Sequence, residues 1–198
     1  MMKVFDKWPM DGIEVEDEGL RKYIGLNPVI VPRTGGKFSS SEQGRSKINI
    51  VERLITKLMV PGHRGKKHVI SSGRATGKYT THYNTVKRVF EIIEEKTKKN
   101  PIEVFVHAIQ NSARREEIAA YQVGGIVVRR AVVTSPQRRV DLALRTIVQA
   151  SYRRSFGKKA SMSETLAGEL IAAADNDSSK SESVKEKERV EREAEGAR

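Results

Sequence analysis

The stretch 100–157, NPIEVFVHAIQNSARREEIAAYQVGGIVVRRAVVTSPQRRVDLALRTIVQASYRRSFG, decides the fold. Asn100 is a helix cap by residue type, with Pro101 at the first helical position and Glu103 three residues on, the capping-box pattern. Ile102, Phe105, Val106, Ile109 and Ala113 recur at helical spacing, which predicts a helix with one apolar face. After Arg114 and Arg115 the period shortens. Residues 117–122 and 126–134 are rich in β-branched side chains, and Val123, Gly124 and Gly125 between them predict a hairpin turn. Ser135 and Pro136 open a second helix with Val140, Ala143, Leu144, Ile147 and Val148 as its buried stripe. Arginines stand in pairs at the joints and ends of this unit: Arg114 and Arg115, Arg129 and Arg130, Arg138 and Arg139, Arg153 and Arg154. A single pair is most simply a solvated face. Four pairs on one helix–ribbon–helix unit predict a basic binding surface.

Composition narrows the partner. The net charge is +12, with 37% hydrophobic and 31% charged residues, which fits a modest core under a highly charged surface. The charge is unevenly spread: residues 19–174 carry 29 Lys and Arg against 11 Asp and Glu, whereas 1–18 carry two against six and 175–198 six against eight. A strongly cationic middle calls for a polyanion. There is no cysteine, so disulfides and thiolate metal sites are excluded, and the four histidines show no ligand spacing. No metal and no cofactor is expected. No apolar run approaches the ~18 residues of a membrane span and no secretory signal is evident, so a cytoplasmic location is expected.

Outward from the central unit, residues 1–48 lack periodicity. Trp8, Ile13, Tyr23 and Ile24 are nonetheless too apolar for a linker, which predicts an ordered arm wrapped over the core or over a partner. Asn49 and Glu52 form a capping-box pair ahead of a helix that buries Val51, Leu54, Ile55 and Leu58. Residues 61–78 follow, with Arg64, Lys66, Lys67, Arg74 and Lys78 and no acid, in a span free of Asp and Glu from Glu52 to Glu91. Such a loop suits a backbone that moulds to phosphates. Its Gly73 to Lys78 segment is reminiscent of a nucleotide-binding P-loop, but it is one residue short, and Tyr79 stands where a magnesium-holding Ser or Thr belongs. Residues 80–98 read as a helix with Tyr83, Val86, Phe90 and Ile93 inward. Ser161 and Glu164 cap a further helix. The end of the chain offers only Val184, Val190 and Ala194 as apolar residues, which predicts a tail that orders only against something else. The sequence is thus read as an N-terminal arm (1–48), a mainly α body of about six helices with one projecting β-hairpin near 116–134 (49–174), and a charged C-terminal tail (175–198).

Asn100 and Pro101, Val123 to Gly125, Ser135-Pro136-Gln137-Arg138-Arg139 and Ala143-Leu144-Arg145, in this order and spacing, resemble the small-subunit ribosomal protein seven family. Lys7 and Trp8, the run Ile50 to Leu54, Lys66 and Lys67 after Gly65, and Glu169 to Ala174 resemble its archaeal and eukaryotic branch. The resemblance implies a helical bundle with a ribbon between its fourth and fifth helices. It further implies a structural constituent of the small ribosomal subunit, not an enzyme. Such a protein binds the 3′ major domain of small-subunit rRNA, initiates head assembly, touches neighbouring ribosomal proteins, and sets its ribbon beside the exit-site tRNA and the mRNA path. Carried to this chain, the RNA-binding residues are Arg64, Lys66, Lys67, Arg74, Lys78, the four arginine pairs and Arg145. The acidic last 24 residues depart from the family pattern.

Two other classes compete. An architectural DNA-binding protein would push its ribbon into a minor groove and wants an apolar or proline wedge at the tip, where Val123, Gly124 and Gly125 offer a valine. An RNA-modifying enzyme wants a nucleophile with a base, or carboxylates set among apolar residues. Glu116 and Glu117 are adjacent on a strand, and Glu94 and Glu95 sit on a helix face, so neither pair fits.

Overall fold

In the computed structural model, which describes residues 2–38, 40, 41, 44–62 and 73–198, Asn100 caps helix α5 (Pro101–Ser112) by accepting from the Ile102 amide at 3.1 Å. Its amide nitrogen donates to the Pro9 carbonyl at 2.9 Å, so one residue starts a helix and fastens the N-terminal arm. α5 is preceded by α4 (Tyr79–Thr97), and the chain reverses between them through Lys98, at φ +58°. After α5 come strands β3 (Glu116–Val123) and β4 (Ile126–Val133), then α6 (Pro136–Ser155) and α7 (Met162–Ala174). α7 packs against α4, α5 and α6, and its Leu166, Ala167, Leu170 and Ala173 meet Phe90, Phe105, Ile109, Leu144 and Ile147 in one core.

The described residues hold six helices of nine or more residues, five in the body and a sixth in the segment expected to be a tail, together with two single turns, α1 (Glu18–Arg21) and α2 (Gly44–Lys47). The ribbon follows the third of the long helices rather than the fourth. Among the described residues the arm's helices are single turns, so no long helix precedes α3 (Ile50–Leu58).

The arm wraps over the core. Strands β1 (Lys3–Val4) and β2 (Trp8–Pro9) form a small hairpin, and Phe5, at φ +56° in its turn, is buried against Tyr83 (ring centroids 4.7 Å apart) and Trp8 (6.0 Å). Trp8 stacks edge-on to Phe90 and donates its indole N–H to Glu94 at 3.1 Å. Farther on, Gly25 accepts from the Ile50 amide at 2.9 Å, and a Cβ on Gly25 would lie 2.4 Å from the Ile48 carbonyl oxygen. Gly25→Ala is therefore expected to destabilise the fold by about 1–3 kcal/mol, read in a denaturant titration. A change below ~0.5 kcal/mol would mean that the arm slides at no cost.

One helix start differs from its sequence pattern. Asn49 accepts from the Val51 amide, but Glu52 does not reach back to the cap. Its carboxylate instead accepts from the Thr34 amide (2.8 Å) and hydroxyl (2.9 Å), so the arm competes for the oxygen that would close the box. Ser161 and Glu164 do close theirs at the start of α7.

The hairpin pairs in register from Glu116 opposite Val133 to Val123 opposite Ile126. Gly124 (φ +55°) and Gly125 (φ +86°) form its tip, a turn that needs positive φ at both positions. Its base does not stand free. The segment expected to be a tail forms α8 (Glu182–Glu195), which orders against the body itself and buries Val184, Val190 and Ala194. Glu191 accepts from the Arg115 amide at 2.7 Å, the Ala131 amide donates to the Ala197 carbonyl, and Arg198 pairs with Glu116 at 2.7 Å. Three apolar residues are too few to dock a helix; a buried polar knot supplies the rest. Glu169, fully buried, accepts from the Ser183 amide and from the hydroxyls of Ser181 and Ser183, each at 2.9 Å. The Arg154 guanidinium stands 3.0 Å from its other oxygen, and Ser112 donates to Ser183.

Candidate nucleic-acid interface

A cleft of ≈ 800 Å³ opens between α2, α3 and α6, lined by Arg45, Arg53, Thr56, Lys57, Asp141, Arg145 and Gln149 among others. A shallower depression that shares Arg45, Lys57, Asp141 and Arg145 continues it to Ser135, Gln137 and Arg138, at the start of α6. The walls follow from helical spacing. Arg53 and Lys57 stand four residues apart on α3, and Asp141 and Arg145 four apart on α6, each pair flanking an apolar stripe that packs the two helices together.

Arg53 is almost wholly buried. It donates to the Tyr23 carbonyl at 2.7 Å and to Asp141 Oδ1 at 3.3 Å. Burial lowers its pKa from the ordinary arginine value and Asp141 opposes the shift. Arg45 reaches Asp141 Oδ2 at 3.2 Å, and Lys57 Nζ lies 4.0 Å from Oδ1. Burial pushes the Lys57 ammonium down from its usual value, Asp141 pulls it up, and Arg145, Arg45 and Arg53 push it down again. Arg145 is exposed and has no ion-pair partner among the described residues. The result is a cationic groove with a single carboxylate, among the described residues, at its floor.

The residues singled out from the sequence fall into four groups. Arg74, Lys78, Arg115, Arg129, Arg130 and Arg145 present exposed side chains. Arg138, Arg139, Arg153 and Arg154 are engaged within the protein. Arg138 holds Glu117 through two bonds of 2.5 and 3.0 Å, and this pairing raises its pKa. Arg139 turns inward to Asp17 at 2.7 Å, with only 12% of its side chain exposed. Arg153 pairs with Glu182, and Arg154 donates to the Lys180 carbonyl at 2.6 Å beside Glu169. Arg114 is half-buried, which lowers its pKa against the pull of Glu117 and Glu186. Arg64, Lys66 and Lys67 lie outside the described residues.

Arg138 and Arg139 are not equivalent, because reversing Arg139 would set two acids together under the arm. Arg45, Arg53 and Lys57 were not singled out from the sequence. The i,i+4 spacing of Arg53 and Lys57 was there to see, but nothing in the chain order brings α3 beside α6.

The outer half of the hairpin is open to solvent. Its register sets Tyr121, Val123, Ile126, Val128 and Arg130 on one face and Gln122, Val127 and Arg129 on the other. The two arginines therefore point to opposite sides. The tip is more apolar than a single valine suggests, since Ile126 is 71% exposed beside Val123 at 57%.

Residues 20–198 match the family described as Ribosomal protein S7p/S5e. The chain belongs to that family. Among relatives of this ribosomal protein S7p/S5e chain, the small ribosomal subunit protein uS7 of Nanoarchaeum equitans is 47% identical over 197 residues, covering 100% of this chain and 99% of the relative. The protein of the same name from Archaeoglobus fulgidus is 46% identical over 195 residues, covering 98% and 94%. That of Methanococcoides burtonii is 42% identical over 198 residues, covering both chains completely. The resemblance drawn from the four motifs is thus borne out along the whole length. No described helix is long and apolar enough to cross a membrane.

Proposed function

We propose that the protein is a structural constituent of the small ribosomal subunit that binds small-subunit rRNA mainly through phosphate contacts. The observation that carries this reading is the continuous cationic groove from Arg45 and Lys57 through Arg145 to the start of α6. Its shape and charge suit a polyanionic backbone, and the relatives, small ribosomal subunit proteins by name, supply the ribosomal setting. Phosphate contacts orient an RNA without reading its bases, which fits a protein that organises a folded RNA. The finer reading assigns the 3′ major domain as the target, head assembly as the consequence, and neighbouring ribosomal proteins as further partners. The hairpin, with Arg129 and Arg130 on opposite faces and an apolar tip, is the arm assigned to exit-site tRNA and mRNA.

The test is equilibrium binding to a transcript of the 3′ major domain as a function of salt, with duplex DNA as competitor. For about six to ten phosphate contacts, log K should fall against log salt with a slope of roughly −4 to −9. A flat response, or duplex DNA competing as well as the transcript, would overturn the reading. A second experiment concerns the hairpin. Removing residues 120–128 and rejoining the strands should leave the helices folded and RNA binding intact, while reconstituted subunits retain exit-site tRNA less well. A loss of melting temperature as large as that of Leu144→Ala would instead make the hairpin part of the core.

A further inference from the structure

The cleft holds one acid. A carboxylate on the floor of a phosphate-binding surface weakens it unless that carboxylate has a use. Asp141, on α6, receives cations from two other elements: Arg45 of α2 on Oδ2 at 3.2 Å, Arg53 of α3 on Oδ1 at 3.3 Å, and Lys57 of α3 near Oδ1 at 4.0 Å. The arrangement is anchored, because Arg53 is 5% exposed and its other arm is committed to the Tyr23 carbonyl. Arg45, by contrast, is 66% exposed and uses a single guanidinium nitrogen on Asp141. A guanidinium has five N–H donors and an ammonium three, so Arg45 and Lys57 keep donors for a ligand while Asp141 holds their position.

We propose that Asp141 is a positioning residue for phosphate binding, gathering Arg45, Arg53 and Lys57 into a preformed clamp for an RNA phosphodiester backbone. The inference rests on the reading of the cleft as an RNA-binding surface. Without the carboxylate, Arg45, Arg53, Lys57 and Arg145 repel one another across the groove, and the more exposed Arg45 and Lys57 splay into solvent. A clamp ordered in advance loses less side-chain freedom on binding, which is where preorganisation gains affinity. Among the described residues, Asp141 also supplies the only opposing charge at Lys57. Burial and the facing Arg145 of α6, Arg45 of α2 and Arg53 of α3 all disfavour the ammonium.

The proposal opposes simple charge counting. Asp141→Asn makes the protein one charge more positive, which on electrostatics alone should tighten RNA binding. Binding of the full chain to the 3′ major domain transcript is measured for the wild type, Asp141→Asn, Asp141→Glu, and the double variant Lys57→Gln with Arg145→Gln. The double variant tests the cleft; if it binds like the wild type, the cleft reading fails and the clamp falls with it. If the double variant loses affinity, Asp141→Asn decides the clamp. The expected result is a loss of about tenfold, the worth of a charge-assisted contact. The loss should grow as pH rises, because Lys57, whose pKa burial already lowers, then lacks the carboxylate that opposes the shift. Asp141→Glu should restore much of the loss. Equal or tighter binding by Asp141→Asn would overturn the proposal. So would a loss that merely tracks the unfolded fraction and shows the wild-type pH profile.

Discussion

Replacing both Lys57 and Arg145 by Glu is expected to weaken binding to small-subunit RNA by about two to three orders of magnitude, beyond what any fall in melting temperature accounts for. Truncating one member of a desolvated charge pair typically costs ~2–5 kcal/mol, and reversal adds repulsion against the phosphates. Arg145 is exposed and Lys57 keeps 31% of its side chain open, so neither is needed for the core. Both new carboxylates would face Asp141, turning the floor of the groove from cationic to anionic. Filter binding at fixed salt measures the effect. A loss below about threefold would remove the cleft from the interface and leave the exposed arginines of the hairpin and Arg74 to carry it.

Glu169→Ala should be among the most damaging single substitutions in the chain, at about 2–4 kcal/mol, the order expected when several buried donors lose their shared acceptor. The fully buried carboxylate binds Ser181 and Ser183 and faces Arg154. Its loss strips three donors of their acceptor and the partly exposed Arg154 of its ion-pair partner. The local consequence is more telling than the stability change. α8 should undock, Arg153 and Arg154 should be released, and hydrogen exchange should quicken at the β3 amides near Glu116. Denaturant unfolding and exchange mass spectrometry read both. If Glu169→Ala behaves like a surface substitution, within ~0.5 kcal/mol, the apolar contacts of Val184, Val190 and Ala194 hold the helix by themselves.

The parts of the fold that were legible in the sequence are those in which local pattern and tertiary environment agree. The segment 100–157 switches from a period of 3.6 to 2 and back, with Asn100, Gly124 and Gly125, and Pro136 marking each change, and the structure follows it closely. The arm was legible as ordered but not as placed. Trp8 and Phe5 are scattered anchors, and their partners Glu94, Phe90 and Tyr83 lie more than seventy residues away. The end of the chain misled for a related reason. Helix α8 has few apolar residues, and what docks it is a carboxylate on α7 that meets serines from the following turn. Such a polar knot has no periodicity to read. The cleft belongs to the same class: arginines were visible as pairs along the chain, whereas Arg53, Lys57, Asp141 and Arg145 form a cluster only when α3 and α6 pack. Sequence neighbours such as Arg138 and Arg139 then part company, one toward Glu117 and one toward Asp17.

The central claim is that the groove between α3 and α6 faces RNA while the α8 face does not. Lysine-modification footprinting of the full protein, free and bound to the 3′ major domain transcript, tests it directly. The account predicts protection of Lys57 and Lys78 on binding and unchanged reactivity at Lys185 and Lys187 of α8. Protection of Lys185 and Lys187 with Lys57 still reactive would contradict it.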